Sequence, residues 1–179
     1  MKERARSRVI FTIGHSNRPL EEFLGLLQEN GVKRLVDVRT IPRSRHNPQY
    51  DMDALKGSLS EASIEYLGMK GLGGLRRPLS NSINDGWRNS AFRGFADYMQ
   101  TEDFSKSLNA LEKVATKKPT AVMCAEAVPW MCHRSLIADA LSIRHFDVLH
   151  IIGKGPPRAH TLTKFAKVDG TSLTYPAGA

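Results

Sequence analysis

Long apolar runs are absent, since no segment of this sequence approaches the length of a membrane-spanning helix. The basic first residues, MKERARSR, lead into a short strand-like run and not into a long apolar segment with a small-residue cleavage site. We therefore expect a cytoplasmic protein with no secretory signal and no membrane partner. Cysteine is also scarce, and we interpret the 2 cysteines as reduced thiols because structural disulfides are rare in the cytoplasm.

Standard nucleotide-binding loops are lacking as well. The glycine-rich, basic stretch over 68–90 contains Gly71, Gly73 and Gly74, but it matches neither the Walker pattern nor a GxGxxG that follows a first strand. A loop of this length in a compact domain is usually functional or disordered, and we interpret it as a candidate lid. The sequence also lacks a stripe of interleaved basic and aromatic residues of the kind that binds nucleic acid.

Positive charge, in contrast, is in excess, with a formal net charge of +8. This balance favours an anionic partner, such as a nucleotide, a phosphate ester or nucleic acid, over an ordinary charged surface. Arginine is suited to such partners because its planar fork binds phosphate or carboxylate with two hydrogen bonds. Most arginines outside the first strand fall in predicted loops or at helix starts: Arg39, Arg43, Arg45, Arg76, Arg77, Arg88, Arg93 and Arg134.

Short buried strands alternate with amphipathic helices along the chain. Apolar runs predict strands over 8–14, 33–38, 64–68, 120–124 and 146–152. Helical spacing predicts helices from Leu20 to Gly31 and over 51–62, 91–100, 103–118 and 132–143. Asn17 is placed to cap the first helix and Gly31 to end it. We also predict one helical turn over 160–165 and a small terminal strand at SLTYP.

This alternation predicts βαβ units and therefore a mainly parallel sheet. We expect one α/β domain over 1–179, a three-layer αβα fold with a doubly wound, Rossmann-like sheet. On an assumed strand order of 3-2-1-4-5, a ligand would bind at the carboxyl ends of the first and fourth strands. Polar residues do follow the predicted strands at these ends, namely His15, Ser16, Asp37, Arg39, Cys124 and Glu126.

Three separated segments together resemble the DUF488 family, a bacterial and archaeal family of α/β proteins. They are TIGHSNR at 12–18, DVRTIPRSR at 37–45 and CAEAVPWMCHR at 124–134. The resemblance extends over nearly the whole chain, including His160-Thr-Leu and the Leu-Thr-Tyr-Pro ending. It implies that these segments are the family's hallmark, and it assigns no substrate and no catalytic role.

The first two segments each allow a structural and a functional interpretation. His15 can act as an acid or base near neutral pH, and Ser16 can help the following helix start to hold an anion. Asp37 and Arg39 share one face of the strand end, so they can pair with each other. Alternatively, Arg39 binds a ligand and Asp37 orients it or His15. Arg43 and Arg45 then extend the basic rim.

Three chemistries compete for the third segment, which contains Cys124, Glu126, Trp130, Cys132, His133 and Arg134. A thiolate nucleophile is the first, although the phosphatase-type loop would need arginine where Trp130 stands. Zinc held by the cysteines and histidine is the second, and its spacing is uncommon. Acid–base catalysis by Glu126 and His133, with Arg134 on the anion, is the third and the one we favour.

These observations predict an enzyme with a basic pocket at the strand carboxyl ends, acting on a nucleotide or nucleic-acid phosphate by hydrolysis or group transfer. The predicted catalytic residues are His15, Glu126 and His133, and no cofactor or resident metal is expected. The predicted ligand-binding residues are Ser16, Asp37, Arg39, Arg43, Arg45, Cys124, Trp130, Cys132 and Arg134. A non-catalytic nucleotide- or nucleic-acid-binding module and a metal- or thiol-dependent protein are the alternatives. Trp130 is a candidate base-stacking residue, and Trp87 is expected to plug the edge of the core.

Overall fold

The computed structural model of the protein describes residues 8–178, so most of the basic first segment lies outside the described residues. Its centre is a six-stranded sheet with the order β3-β2-β4-β1-β5-β6. The strands are β1 (Arg8–Gly14), β2 (Arg34–Asp37), β3 (Glu65–Gly68), β4 (Thr120–Cys124), β5 (Phe146–Ile151) and β6 (Arg158–Ala159). The first five pair in parallel, and β6 pairs antiparallel with β5.

Five helices connect the strands, and their bounds lie within a few residues of those predicted. They are α1 (Leu20–Glu29), α2 (Met52–Glu61), α3 (Ser90–Tyr98), α4 (Glu102–Ala115) and α5 (Arg134–Ser142). A small antiparallel pair, β7 (Lys167–Asp169) and β8 (Ser172–Thr174), follows the main sheet. The predicted terminal strand is therefore confirmed as β8.

The helices cover both faces of the sheet, which confirms the three-layer αβα architecture. On one face, α1 and α2 bury Phe23 and Leu55 against Ile13 of β1 and Leu35 of β2. On the other face, α3, α4 and α5 form the larger core. There Phe95 packs with the strand residues whose side chains point to this second face of the sheet. A strand buried on both faces needs apolar residues at every position, and this explains why the sequence shows continuous apolar runs.

The assumed strand order was wrong in one respect, because β4 lies between β2 and β1. β1 therefore pairs with β4 and β5 and makes no pair with β2. Local sequence contains no information on this insertion, which depends on pairings between strands that are about a hundred residues apart. The adjacency that matters for the site is retained, since Gly14 of β1 lies beside Cys124 of β4.

Two local predictions need correction, and a third is confirmed. Asn17 does not cap α1, because Pro19 occupies the N-cap position and no side chain caps the helix. Residues 160–165 contain a hydrogen-bonded turn and not the predicted helical turn. Gly31, however, follows the end of α1 with a φ of 69°, the left-handed conformation expected of a helix-ending glycine. Among residues 8–178, no helix is both long and apolar enough to cross a membrane.

Candidate functional site

The carboxyl ends of β1 and β4 are joined by backbone hydrogen bonds. The His15 amide donates to the Cys124 carbonyl at 3.1 Å, and the Ser16 amide donates to the Ala125 carbonyl at 2.8 Å. A side chain on Gly14 would collide with the Glu126 carbonyl, so only glycine lets the two segments approach this closely. The first and third sequence motifs therefore form one continuous surface at this edge of the sheet.

Four side chains form an ion-pair cluster at the ends of β1, β2 and β3, namely His15, Asp37, Arg39 and Tyr66. Arg39 donates two parallel hydrogen bonds to Asp37, from Nε at 2.9 Å and from Nη2 at 2.8 Å. The Tyr66 hydroxyl donates to the same carboxylate at 2.7 Å. Both members of the ion pair are buried, so the fork of Arg39 is committed to Asp37 and is not free for a ligand.

His15 in this cluster is a neutral imidazole with both nitrogens occupied. Burial lowers the pKa of His15, and the Arg39 charge lowers it further. Its Nδ1–H donates to the Ser16 carbonyl at 2.8 Å, which leaves Nε2 to accept from Arg39 Nη1 at 3.4 Å. The ring also stacks on Tyr50 with centroids 4.3 Å apart. These contacts fix the ring orientation and leave no ring nitrogen open.

A second group, the sulfur cluster, consists of Cys124, Cys132, His133 and Arg134. Cys124 ends β4, and the other three lie at the start of α5, beyond a 3₁₀ turn at Pro129–Met131. The two sulfur atoms are 2.6 Å apart, and both thiols are free. The Arg134 backbone amide lies 3.4 Å from Cys132 Sγ, so the sulfur accepts a hydrogen bond at the helix start.

The two thiols of the pair ionise very differently. A hydrogen bond from the Cys124 thiol is the main cause that lowers the pKa of Cys132 to about 4, against its ordinary value of 9.0. His133 adds to this, because its Nδ1 lies 3.5 Å from Cys132 Sγ. Burial raises the pKa of Cys124 well above its ordinary value, and the Cys132 hydrogen bond raises it further. The opposite directions of the two pKa shifts favour the Cys132 sulfur as the site of the negative charge of the pair.

Arg134 supplies the positive charge beside the two sulfurs, and it is fully buried at 0% exposure. Its guanidinium donates from Nε to Cys124 Sγ at 3.0 Å and from Nη1 to the Thr12 hydroxyl at 3.0 Å. Nη2 donates to the Glu126 carbonyl at 2.8 Å. No carboxylate within the described chain forms a salt bridge with this guanidinium. A buried cation needs a countercharge, and here the thiol pair provides it.

His133 connects the sulfur cluster to the glycine-rich loop. Its Nε2–H donates to the Leu72 carbonyl at 2.9 Å, and with the proton taken from Cys132 its Nδ1–H donates to the Cys132 sulfur. A side chain on Gly74 would lie 2.8 Å from this Nδ1, so glycine lets the loop close over the histidine. This part of the loop therefore covers the sulfur cluster in the structure.

A buried line of hydrogen bonds leads away from Arg134 through residues that sequence reasoning missed. The line runs through Thr12, His150, His160 and Asp139. Thr12 Oγ1 donates to His150 Nδ1 at 2.6 Å, and His150 Nε2 donates to His160 Nδ1 at 2.9 Å. His160 Nε2 then donates to Asp139 at 2.7 Å. Arginine can only donate and the carboxylate can only accept, so the two ends fix every proton position between them.

Two sequence signals point to this line. Asp139 is a lone acidic residue within the apolar helix α5, and such a residue is seldom buried without a partner. The Tyr175 hydroxyl also donates to it at 2.9 Å. His150 lies inside the apolar strand β5, where burial is the main cause that lowers the pKa of this histidine to about 3. Only the arrangement in space shows that these residues form one network.

The remaining predicted site residues lie nearer the surface. Glu126 is exposed, and only its carbonyl contacts the sulfur cluster. Arg43 and Arg45 are exposed on the loop after β2, and Ser16 is half-buried in a turn with a φ of 46°. Trp130 is 54% exposed, next to the Arg158 guanidinium. The three predicted acid–base residues are thus divided between two clusters and the surface.

Two further expectations concern zinc and Trp87. Within residues 8–178, no group of three or more histidine, cysteine or acidic side chains is placed to hold a metal ion. The zinc alternative therefore lacks a ligand set in the structure. Trp87 packs against the larger core, with its ring close to Phe92, Phe165 and Tyr175. Its predicted role as a plug at the edge of the core is confirmed.

Comparison with known proteins gives one finding. No curated protein and no solved structure matches the chain. A family model described as a domain of unknown function, DUF488, matches residues 19–141. This range covers most of the chain and includes the ion pair of β2 and the whole sulfur cluster, while His15 lies just before it. The match confirms the resemblance seen in the sequence, and the chain belongs to the DUF488 family.

Proposed function

We propose that the protein is a thiol-dependent redox enzyme in which Cys132 reacts with the oxidising substrate and Cys124 resolves the product as a disulfide. The observation that carries the proposal is the buried Arg134 guanidinium, which contacts Cys124 and has the thiol pair as its countercharge. A thiolate, and not a thiol, is the reactive form of cysteine, and this environment maintains one at neutral pH.

The positions of the two sulfurs favour reversible oxidation. At 2.6 Å they are closer than two thiols in ordinary van der Waals contact, so a bond between them requires only a small shift. A low-pKa cysteine beside a second cysteine is also the arrangement typical of redox-active thiols, because the second thiol prevents overoxidation of the first. A buried structural pair of cysteines would need neither the guanidinium nor the histidine.

Burial limits the size of the substrate. Cys132 is 5% exposed and Cys124 is 3% exposed, so a disulfide on another protein cannot approach in line with either sulfur. A hydroperoxide is small enough to reach Cys132 with little opening of the loop that contacts His133. We therefore assign hydroperoxides as the substrate class.

The reaction proceeds in two balanced steps. In the first, the Cys132 thiolate forms a bond to the terminal oxygen of the hydroperoxide, the O–O bond breaks, and the leaving alkoxide takes the proton that His133 accepted from Cys132. The products are a sulfenic acid on Cys132 and an alcohol. In the second, Cys124 Sγ attacks the sulfenic sulfur, and the departing hydroxide leaves as water with the Cys124 proton. One dithiol is oxidised and one hydroperoxide is reduced.

The test measures thiol loss and product mass after exposure to hydrogen peroxide, with oxidised glutathione as the larger oxidant. We expect the wild type to form an intramolecular disulfide faster than free cysteine is oxidised, and to react slowly with glutathione disulfide. Cys124→Ser should accumulate a sulfenic acid that dimedone traps at Cys132, whereas Cys132→Ser should trap none. Oxidation no faster than that of free cysteine, or equal trapping in both variants, would refute the proposal.

A second candidate, anion binding, has support from a different region. Arg43 and Arg45 lie exposed on the loop after β2, and within the described residues no carboxylate forms a salt bridge with either. Arg43 lines a cavity of about 380 Å³ together with Thr40, Asp51 and Lys70. With Arg39 and Arg134 bonded to internal partners, Arg43 and Arg45 are the predicted anion-binding arginines that remain exposed to a nucleotide or nucleic-acid phosphate.

Salt dependence tests this second candidate. We expect fluorescently labelled single-stranded DNA or RNA to bind with an affinity that falls steeply as salt rises, since each phosphate contact releases a counterion. The double variant Arg43→Gln, Arg45→Gln should weaken binding and reduce the slope by about 1.4 if each arginine contacts one phosphate of the single strand. Lys117→Gln, at the opposite edge of the sheet, is the control for charge. An equal loss of affinity in the double arginine variant and in Lys117→Gln would exclude a defined binding site.

A further inference from the structure

We propose that the cavity beside α5 and β6 binds a small planar aromatic molecule that carries an anionic group. This cavity has a volume of about 360 Å³. Both tryptophans of the chain line it, together with Ser135, Arg158 and His160. None of the residues that line it belongs to the sulfur cluster, and the inference does not depend on the redox proposal.

The walls of the cavity are suited to a flat ring. Trp130 is 54% exposed, which is unusual for a residue with this much apolar surface. The Arg158 guanidinium lies over its ring at 5.8 Å from the centroid. The His160 ring also lines the cavity and is anchored by its hydrogen bond to Asp139. An aromatic ligand that stacks on Trp130 would cover the exposed indole. Its substituents would then lie close to the Arg158 guanidinium.

The polar groups of the cavity favour acceptors and negative charge. Arg158 is the one formally charged residue that lines it, and no carboxylate in the described residues pairs with that guanidinium. The Trp87 indole nitrogen is buried and, within residues 8–178, has no hydrogen-bond partner. A buried donor without an acceptor costs free energy, and an acceptor atom on a bound ligand removes that cost.

Size narrows the ligand class further. A cavity of about 360 Å³ is at the lower end of the range for small-molecule sites. It accommodates one or two fused rings with a single phosphate or carboxylate, which is the chemistry of a nucleoside monophosphate or an aromatic carboxylate. A longer polyphosphate or an oligonucleotide is too large for the enclosed part. The two ring chemistries share the same contacts, so the experiment must distinguish them.

The experiment uses the protein's own tryptophans as reporters, because both of them line the cavity. Adenosine monophosphate and benzoate are titrated separately, with adenine and inorganic phosphate as probes that each lack one half of the ligand. We expect saturable fluorescence quenching by at least one of the two complete probes, and weaker binding of adenine and of phosphate. The better complete probe identifies the class. No saturation by either up to low millimolar concentration would overturn the proposal.

Three variants locate the binding. Arg158→Gln should weaken binding of the better probe roughly tenfold by removing the cation. Trp130→Ala, followed by calorimetry because it removes a reporter, should weaken it roughly 5- to 100-fold through the loss of stacking. Arg77→Gln carries the same charge change on an exposed loop outside the cavity and should leave binding unchanged. An equal loss in Arg77→Gln, or none in the two cavity variants, would place the binding elsewhere.

Discussion

The ion-pair cluster and the sulfur cluster occupy the same edge of the sheet, and their positive charges are neutralised in different ways. In the ion-pair cluster, Arg39 is bonded to a carboxylate by two hydrogen bonds, and Tyr66 supplies a third to the same group. In the sulfur cluster, Arg134 has no carboxylate within the described residues, and a thiol pair provides the charge. A carboxylate is chemically inert under cellular oxidants, whereas a thiolate is reactive.

This difference separates structural from chemical roles. Arg39 is bonded to a carboxylate and a histidine, and it stabilises the end of β2. Its guanidinium is therefore occupied by internal acceptors. An arginine whose countercharge is a thiolate adds to the hydrogen bonds from Cys124 and His133 that favour ionisation of Cys132 in a buried place. Two arginines that appear equivalent in the sequence are therefore expected to respond differently to substitution of their partners.

The largest expected effect is on the alkylation rate of Cys132 when Cys124, its partner in the sulfur cluster, is substituted. In Cys124→Ala the main cause of the low pKa of Cys132 is removed, so this pKa rises from about 4 towards its ordinary value of 9.0. The thiolate fraction falls as pH falls through the pKa, so near pH 6 the variant should react with a small alkylating reagent roughly a hundredfold more slowly. The measurement is the alkylation rate of Cys132 as a function of pH.

His133→Ala provides a graded comparison for this experiment. His133 is a smaller cause of the low pKa than Cys124, so its removal should shift the alkylation profile in the same direction but by less. A wild-type profile that titrates near 9 instead of near 4 would contradict the assignment of Cys132 as the thiolate.

Substitution of Asp37 should have the largest effect on stability in the ion-pair cluster. Asp37→Asn retains the shape of the side chain and leaves the buried Arg39 without its carboxylate. Breaking one partner of a buried pair costs about 3–5 kcal/mol, because the remaining charge stays desolvated. The free energy of unfolding in urea measures this loss. Glu22→Gln, which breaks the exposed pair with Arg18, is the matched control and should cost less than about 1 kcal/mol.

Most of the fold could be predicted from the sequence, because its elements depend on local patterns. The bounds of β1 are those predicted, since an uninterrupted apolar run that ends in glycine is unambiguous. The buried residues of α4, namely Phe104, Leu108, Leu111 and Ala115, follow the same apolar spacing that predicts this helix. The position of β4 between β2 and β1 could not be predicted, since parallel strands of similar composition do not differ in any local signal.

The sequence singles out the turn after β4, but it does not indicate which side chains meet there. The turn after β4 was identified because cysteine, histidine and arginine there serve no need of a strand or a helix start. The group that Arg134 contacts depends on how the nine-residue connection between β4 and α5 folds, and the spacing of the motif does not encode this. The same holds for Thr12 and His150, which meet only because β1 and β5 are neighbours in the sheet.

A smaller effect is expected when the sulfur cluster loses its charge. Cys132→Ser leaves Arg134 without an anionic countercharge and should lower stability at pH 7 by about 1–3 kcal/mol. The pKa of Cys132 is lower in the folded than in the unfolded chain. Its contribution is therefore complete above 9.0, decreases as pH falls, and is lost at about 4. The difference between wild type and variant in urea unfolding should consequently shrink on acidification. A difference that does not change with pH would indicate a packing effect only.

The smallest expected effect concerns the hydroxyl of Tyr66. Tyr66→Phe removes one hydrogen bond to the Asp37 carboxylate and keeps the ring, so we expect a loss of about 1–2 kcal/mol in the free energy of unfolding. Tyr98→Phe is the matched control, because its hydroxyl donates at the same 2.7 Å to the neutral carbonyl of Gly71. Since a hydrogen bond to an ionised acceptor is roughly twice as strong as a neutral one, Tyr66→Phe should cost more. Equal costs would mean that Arg39 alone satisfies the carboxylate, and that the hydroxyl of Tyr66 adds nothing beyond an ordinary hydrogen bond.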